Sequence, residues 1–369
     1  MTPSSSSSHV ERGMLRERLA NAQASLGVVC TFLDDLPAKR IACEQARDIW
    51  KALAEQFPGR PNYRHQLAEA QLQMSTVYFY LKEYAAAREE IEQAEKIARK
   101  LVQQFPGVPY YQYCLASSED ALGNTLQREG DTVAARNKYI QARNTLQNLV
   151  DQFPALFKYR TQLAGFEVKL GENSVKSGQP AESLDYYSRA IKTLTTGYPN
   201  EYRNDLRDRW LETTYRCRAQ VLILLKRYSE AVEDWDRVIP LSQPRVQHGN
   251  RLSRAEAQIR AGQVEAALKE ADELSDLDGS RWAAIGRYRI AALYAYASGL
   301  PESPPRCADR AMELLKRAID TGFKTPENIT KMADDHDLDP LRERDDFRSL
   351  MKSIGAPEPN ASIDSPARP

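Results

Sequence analysis

The stretch "ADDHDLD" sets His336 among Asp334, Asp335, Asp337 and Asp339. An imidazole and four carboxylates so close together have the donor atoms to hold a divalent cation. The residues that follow, "DPLR", argue for another use. They put Asp339 where an N-cap accepts backbone N–H groups, and Pro340 at the first helical position, where its missing donor is harmless. Leu338, Leu341, Phe347 and Leu350 then supply an apolar face that can seal the end of a helical stack, so the acidic run reads as a cap. A second candidate is "YRNDLRDRWLETTYRCR", where Arg203, Arg207, Arg209, Arg216 and Arg218 alternate with aromatics as on a phosphate-contacting surface. Asp205, Asp208 and Glu212 interrupt the run at helical spacing, which favours a salt-paired, solvated helix.

The five cysteines, Cys30, Cys43, Cys114, Cys217 and Cys307, are odd in number and lack a CxxC pair. This pattern argues against a disulfide framework or a zinc site and for buried thiols in a reducing compartment. Lys plus Arg equals Asp plus Glu at 51 each, so no net field draws the molecule to nucleic acid or an anionic membrane. No run approaches the roughly 18 apolar residues of a membrane-spanning helix. The start, "MTPSSSSSHVERG", lacks the basic and apolar segments of a secretory signal, and cytoplasmic localisation is expected. Residues 1–12 are Ser-rich and 355–369 Pro-rich, and both are expected to be disordered.

The elements that would position any site come from a repeat. "FPGRPNYRHQLA" at Phe57 returns as "FPGVPYYQYCLA" at Phe105 and "FPALFKYRTQLA" at Phe153, each 48 residues on. Self-similarity at such a period marks a repeat array. After each Phe-Pro the chain reads as two amphipathic helices. Ala87, Ile91, Ala94, Ala98, Leu101 and Phe105 fall on one helix face, as do Ala135, Tyr139, Ala142, Leu146, Leu149 and Phe153 one period later. One period earlier the face is Lys39, Cys43, Ala46, Trp50, Leu53 and Phe57, where only the lysine departs. Gly130 and Gly178 mark left-handed turns inside the hairpins, with Pro180 in a first turn. Each Phe-Pro ends a hairpin because proline lacks the amide donor, with the Phe expected as the last core contact of its helix.

Leu122-Gly123, Ala135, Tyr139 and Ala142, and again Leu170-Gly171, Ser183, Tyr187 and Ala190, match the tetratricopeptide signature. Leu26-Gly27 opens a further copy, and Ala219, Ala231 and Trp235 mark another. "RAGQVEAALKEADEL" and "CADRAMELLKRAI" carry two divergent ones. The chain thus resembles tetratricopeptide repeat (TPR) proteins, which implies an all-α fold: an α-solenoid of about seven TPR-like helical hairpins with a small C-terminal helical cap. The copies are expected near 13–58, 59–106, 107–154, 155–199, 200–243, 244–278 and 279–324, with capping helices over 325–354. The period exceeds the usual 34 or so, so each helix should be extended by one to two turns. "FP..P.YR..LA" and the ending "DLDPLRERDDFRSLM" also resemble the C-terminal TPR arrays of planctomycete bacterial serine/threonine protein kinases. The kinase domain has no counterpart: there is no Gly-rich phosphate loop, "VAIK", "HRD" or "DFG", and the "DDF" at Asp345 is followed by Arg348.

The TPR resemblance implies a groove lined by first helices. At the register read here it offers Glu69, Leu72, Thr76, Phe79 and Tyr80, then Asn124, Gln127 and Arg128, with Phe79 and Tyr80 the best anchors. Some TPR proteins clamp a partner's C-terminal carboxylate with Lys and Asn. Here the corresponding positions are Asp120, Asn124, Val168 and Glu172, and Asp120 would repel it. The expected function is a non-catalytic scaffold or adaptor binding a protein or peptide on the concave face. The kinase resemblance implies a link to phosphorylation signalling. No cofactor, metal, nucleic acid or membrane partner is expected. Two alternatives stay open: the repeat region of a split or truncated kinase, and a self-assembling repeat protein.

Overall fold

The computed structural model describes residues 5–198, 205–275, 282–301 and 303–356. The helices are α1 Ser5–Phe32, α2 Leu36–Gln56, α3 Pro61–Tyr80, α4 Tyr84–Gln104, α5 Pro109–Glu129, α6 Thr132–Gln152, α7 Phe157–Lys176 and α8 Pro180–Thr195. There follow α9 Asp205–Leu224, α10 Tyr228–Leu241, α11 Pro244–Arg260, α12 Val264–Ser275, α13 Trp282–Ser298, α14 Cys307–Asp320, α15 Pro326–Asp334 and α16 Asp345–Ser353. A 3-10 turn, His336–Leu341, lies between the last two. Among the described residues there is no strand, so the all-α expectation holds. The chain divides into two compact units, Met1–Trp210 and Leu211–Pro369.

In the first unit α1 packs on α2, α3 on α4, α5 on α6 and α7 on α8, while each second helix also packs on the first helix of the next hairpin. The second unit repeats this scheme from α10 to α14. The link inside each hairpin recurs to the residue. Asp34, Lys82, Gly130, Gly178 and Lys226, each 48 after the last, have φ of 55°, 62°, 92°, 75° and 59°. The next N–H in every case donates to the carbonyl five residues back (Asp35 to Cys30, Glu83 to Tyr78, Asp131 to Leu126, Gln179 to Ser174, Arg227 to Leu222) at 2.8–3.0 Å. This is the left-handed helix stop, and the backbone adopts it whether or not a glycine is present. Asp35 and Asp131 then cap the second helix, accepting from Ala38 and Ala134 at 3.0 and 2.9 Å. After Lys226 the next such residue is Gly262, only 36 on, because α10 and α11, which lie between them, have 14 and 17 residues against 21 each in α4 and α5.

The links between hairpins correct one expectation. The last core contacts are Leu53, Leu101 and Leu149, each fully buried. Phe57, Phe105 and Phe153 follow as partly exposed C-caps whose N–H donates to those leucines' carbonyls at 2.9, 2.8 and 3.0 Å. Their rings lie at the edge of the core: Phe57 meets Tyr63 at 5.9 Å, Phe105 meets Tyr111 at 6.0 Å, and Phe153 packs beside the cluster holding Tyr159. The helix stops one residue too early for these side chains to turn fully inward.

The helix faces read from the sequence are buried, Ala87 through Leu101 and Ala135 through Leu149. Lys39 is buried too, with its ammonium 5.8 Å from the Tyr80 ring. Small and large residues interlock where the signature requires it. A Cβ added at Gly123 would come within 2.6 Å of the Tyr139 ring, and one at Gly171 within 2.6 Å of Tyr187. Buried carboxylates add a polar layer. Glu119 accepts from Thr145 at 3.0 Å, and Glu167, one period on, lies 3.6 Å from Arg143 and 3.4 Å from Arg189. Burial raises both glutamates above the ordinary carboxylate range against the pull of these partners.

At the N-terminal end α1 starts at Ser5, eight residues before the expected boundary. Serine's helix propensity is middling, and an established helix gains one hydrogen bond per residue added. Residues 1–4 and 357–369, expected to be disordered, lie outside the described residues. Leu15, Leu19, Leu26, Val29 and Leu33 are half or more exposed at the same 4-3 spacing as the core faces, Leu26 marginally less so. At the other end Leu338, Leu341 and Phe347 are buried, with Leu350 packed beside them. The cap position differs from expectation. Asp335 rather than Asp339 accepts from Asp337 N–H, at 3.0 Å, and Pro340 sits inside the 3-10 turn. Asp339 is held by Arg342 at 2.7 Å, which leaves it unavailable as a cap.

The non-glycine members of the left-handed series should carry a conformational cost. Lys82→Gly is expected to stabilise the protein by about 0.5–1 kcal/mol, the left-handed penalty less the entropy of glycine. Gly130→Ala should destabilise it by about 1–2 kcal/mol, both measured by chemical denaturation.

Candidate functional site

The groove forms because consecutive first helices touch directly, α3 against α5, in addition to packing on the helix between them. Between them lies a cavity of about 200 Å³ lined by Ser75, Thr76, Phe79 and Tyr80 of α3, Ile91 of α4, and Ala121, Asn124 and Thr125 of α5. Four of the residues expected from the sequence, Thr76, Phe79, Tyr80 and Asn124, therefore share one cavity wall. Tyr80 is 64% exposed, whereas Phe79 is half-buried. The Phe79 ring meets Tyr80 edge-on at 6.2 Å and Tyr84 at 5.7 Å, and the Arg128 guanidinium lies 5.7 Å from its centre. Arg128 thus borders the aromatic pair, and the Lys39 ammonium lies over the Tyr80 ring, 5.8 Å from its centre. Cations on aromatic faces hold both rings in place at modest energy.

Asn124 is oriented from two sides. Its carbonyl oxygen accepts from the Tyr139 hydroxyl at 3.1 Å, and its amide donates to Asp120 at 3.3 Å. Burial pushes the Tyr139 hydroxyl well above its ordinary range, so it stays protonated as a donor. One amide hydrogen and one lone pair of Asn124 remain to meet a ligand. Asp120 itself is not the free charge that the sequence suggests. Lys169 of α7 donates to both its oxygens, at 2.7 and 2.6 Å, so the pair is closed to a carboxylate clamp.

The other expected residues lie elsewhere. Gln127 accepts from Asn173 at 2.7 Å and ties α5 to α7. Leu72 packs with Ala68, Ala94, Ala98, Cys114 and Leu115 in the core. Glu69 turns toward α5, where its carboxylate lies within 4.8 Å of the Cys114 sulfur. That pair belongs to a group sequence reasoning missed. His65, Glu69 and Cys114 each offer a donor atom, all within 4.8 Å of one another. His65 and Glu69 are four apart on one helix, but Cys114 joins them only through the packing of α5 on α3. The available signal is the four-residue spacing alone.

In the second unit the acidic stretch is spent on latching the cap. Arg260 donates to Asp337 at 2.5 Å, Tyr288 to Asp335 at 2.5 Å, and Arg289 to Glu256 at 2.8 and 2.7 Å. These residues line a cavity of about 270 Å³ with Lys331, whose ammonium lies 5.6 Å from the Tyr288 ring. His336 points to solvent, with Asp339 beside it at 3.3 Å. In the arginine-rich stretch, Arg216 pairs with Glu212 at 3.5 Å and Arg218 with Asp234 at 2.6 Å, while Arg207 lies 5.2 Å from the Tyr198 ring. Arg203 lies outside the described residues. The five cysteines are free thiols, four of them buried and Cys217 half-buried.

No protein-family model and no curated protein matches the sequence. Solved structures match the fold. The apo form of RapI is 13% identical, covering 92% of this chain and 85% of its own, with a TM-score of 0.57. A signal-transduction ATPase with a tetratricopeptide repeat sensor, from Pyrococcus horikoshii, is 14% identical over 82% of this chain and 42% of its own, also at 0.57. BtubC from P. vanneervenii is 14% identical over 73% of this chain and 94% of its own, at 0.50. At such identities the likeness shows the TPR-type α-solenoid fold alone. Among the described residues no helix is long and apolar enough to cross a membrane.

Proposed function

We propose that the chain is a non-catalytic scaffold that binds a protein or peptide segment along its first-helix face, with Phe79, Tyr80 and Asn124 as the anchoring residues and Thr76 and Arg128 beside them. The observation that carries this reading is the cavity between α3 and α5, where two aromatics meet an oriented amide. Aromatic anchors in a partly wet recess give contact area at low entropic cost, and the amide can pair with a partner's backbone. Repetition of first helices lets a bound segment extend over neighbouring copies, adding many weak contacts. A connection to serine/threonine kinase signalling rests on the recurring "FP..P.YR..LA" pattern and the "DLDPLRERDDFRSLM" ending, and a cytoplasmic setting on the five free thiols. Affinity capture from native lysate should recover a partner with the wild-type chain and lose at least ten-fold with Phe79→Ala/Tyr80→Ala. Undiminished capture would remove this groove from the account, and phosphoryl transfer from ATP by the purified chain would overturn the non-catalytic assignment.

One observation favours a second reading, self-association. The stripe Leu15, Leu19, Leu26, Val29 and Leu33 repeats the spacing of a packed seam yet is exposed. In α3 the positions one period on include Tyr63, Met74 and Val77, all buried. A second copy could cover the α1 stripe as a helix–helix contact. Light scattering over a dilution series should then show a dimer that Leu19→Glu/Leu26→Glu abolishes. A monomer at all concentrations would dispose of this reading.

A further inference from the structure

We propose that His65, Glu69 and Cys114 form a binding site for a zinc-type divalent transition-metal ion. Their donor atoms, a ring nitrogen, a carboxylate oxygen and a sulfur, lie within 4.8 Å of one another. A tetrahedral ion with bonds of about 2.0–2.3 Å needs donor separations of about 3.3–3.8 Å, so a contraction of about 1 Å assembles three corners. The site is built rather than superficial. His65 is 8% exposed and Cys114 fully buried, and Nδ1 of His65 is buried with no hydrogen-bond partner. An orphaned imidazole nitrogen beside a thiol and a carboxylate has an evident use as a ligand atom.

Neighbouring residues fix the three ligands. Tyr110 and Tyr111 hold the His65 ring, with centroids at 5.0 and 5.4 Å. Ser118 donates to the Cys114 backbone carbonyl at 2.8 Å and so steadies the turn that carries the thiol. The repeat supplies its own comparison. One period on, the positions of His65 and Glu69 hold Tyr113 and Ser117, and two periods on Thr161 and Gly165. The positions equivalent to Cys114 hold Gln66 and Gln162. Stacking of hairpins therefore does not require this trio.

The mixed nitrogen, oxygen and sulfur set suits Zn²⁺ or Co²⁺ over Mg²⁺ or Ca²⁺. On binding, the metal–sulfur bond replaces the Cys114 S–H bond and the proton passes to water. Three protein ligands leave the fourth corner to a water molecule. Because the ligands come from α3 and α5, the ion would bridge two consecutive hairpins.

The test is a titration of the chelator-treated full chain with Co²⁺. Expected are one equivalent bound, a thiolate-to-cobalt charge-transfer band in the near ultraviolet, and displacement by one equivalent of Zn²⁺. Cys114→Ser should abolish the band, and His65→Ala and Glu69→Gln should each weaken binding at least ten-fold, with circular dichroism confirming that each variant is folded. Should a variant fail to fold, the wild-type stoichiometry and band decide alone, since their absence overturns the proposal. A band that survives in folded Cys114→Ser would place the metal on another cysteine and overturn it equally.

Discussion

The structure depends on a backbone constraint: each first helix in the long copies must end in a left-handed residue that returns the chain onto itself. That stop recurs at 48-residue intervals from Asp34 to Lys226 and is met by aspartate, lysine or glycine alike. A left-handed lysine is unfavourable by about 1–2 kcal/mol in isolation, so the burial gained by keeping the hairpins in register outweighs the local preference of the residue. Register then sets side-chain size. Tyr139 and Tyr187 fit only because Gly123 and Gly171 stand opposite them, and the first helices approach closely enough to make the groove.

Much of this is legible in the order of the residues. The apolar faces, the glycine turns and the Phe-Pro breaks follow from helical spacing and the chemistry of two residue types, and they place the core residue by residue. Legibility fails where the deciding contact is made in three dimensions. Lys39 looks like a departure from its face until Tyr80 supplies an aromatic partner. Phe57, Phe105 and Phe153 fit the apolar spacing, yet each lies one position beyond the last intrahelical turn and caps the helix with its backbone. Lys82 and Lys226 carry no sign of a left-handed turn in their side chains.

The groove shows the same division. Thr76, Phe79, Tyr80 and Asn124 are identified by position within the repeat, which α3 and α5 share. Glu69 and Leu72 lie earlier on α3 and do not line the cavity, a separation that counting along the repeat does not show. Asp120 reads as a repulsive charge because Lys169, its partner, stands 49 residues away. His65, Glu69 and Cys114 illustrate the limit most clearly, since no linear spacing links the cysteine to the other two.

Removal of one copy in register is the most direct test of the repeat as the source of the fold. Deleting residues 107–154 joins equivalent positions, and the account predicts that the shortened chain keeps its helical ellipticity per residue and unfolds cooperatively. Deleting 107–130, half a copy, should leave a poorly packed chain with a broad transition. If the two deletions behaved alike, evenly spaced stacking would not be what holds this protein together.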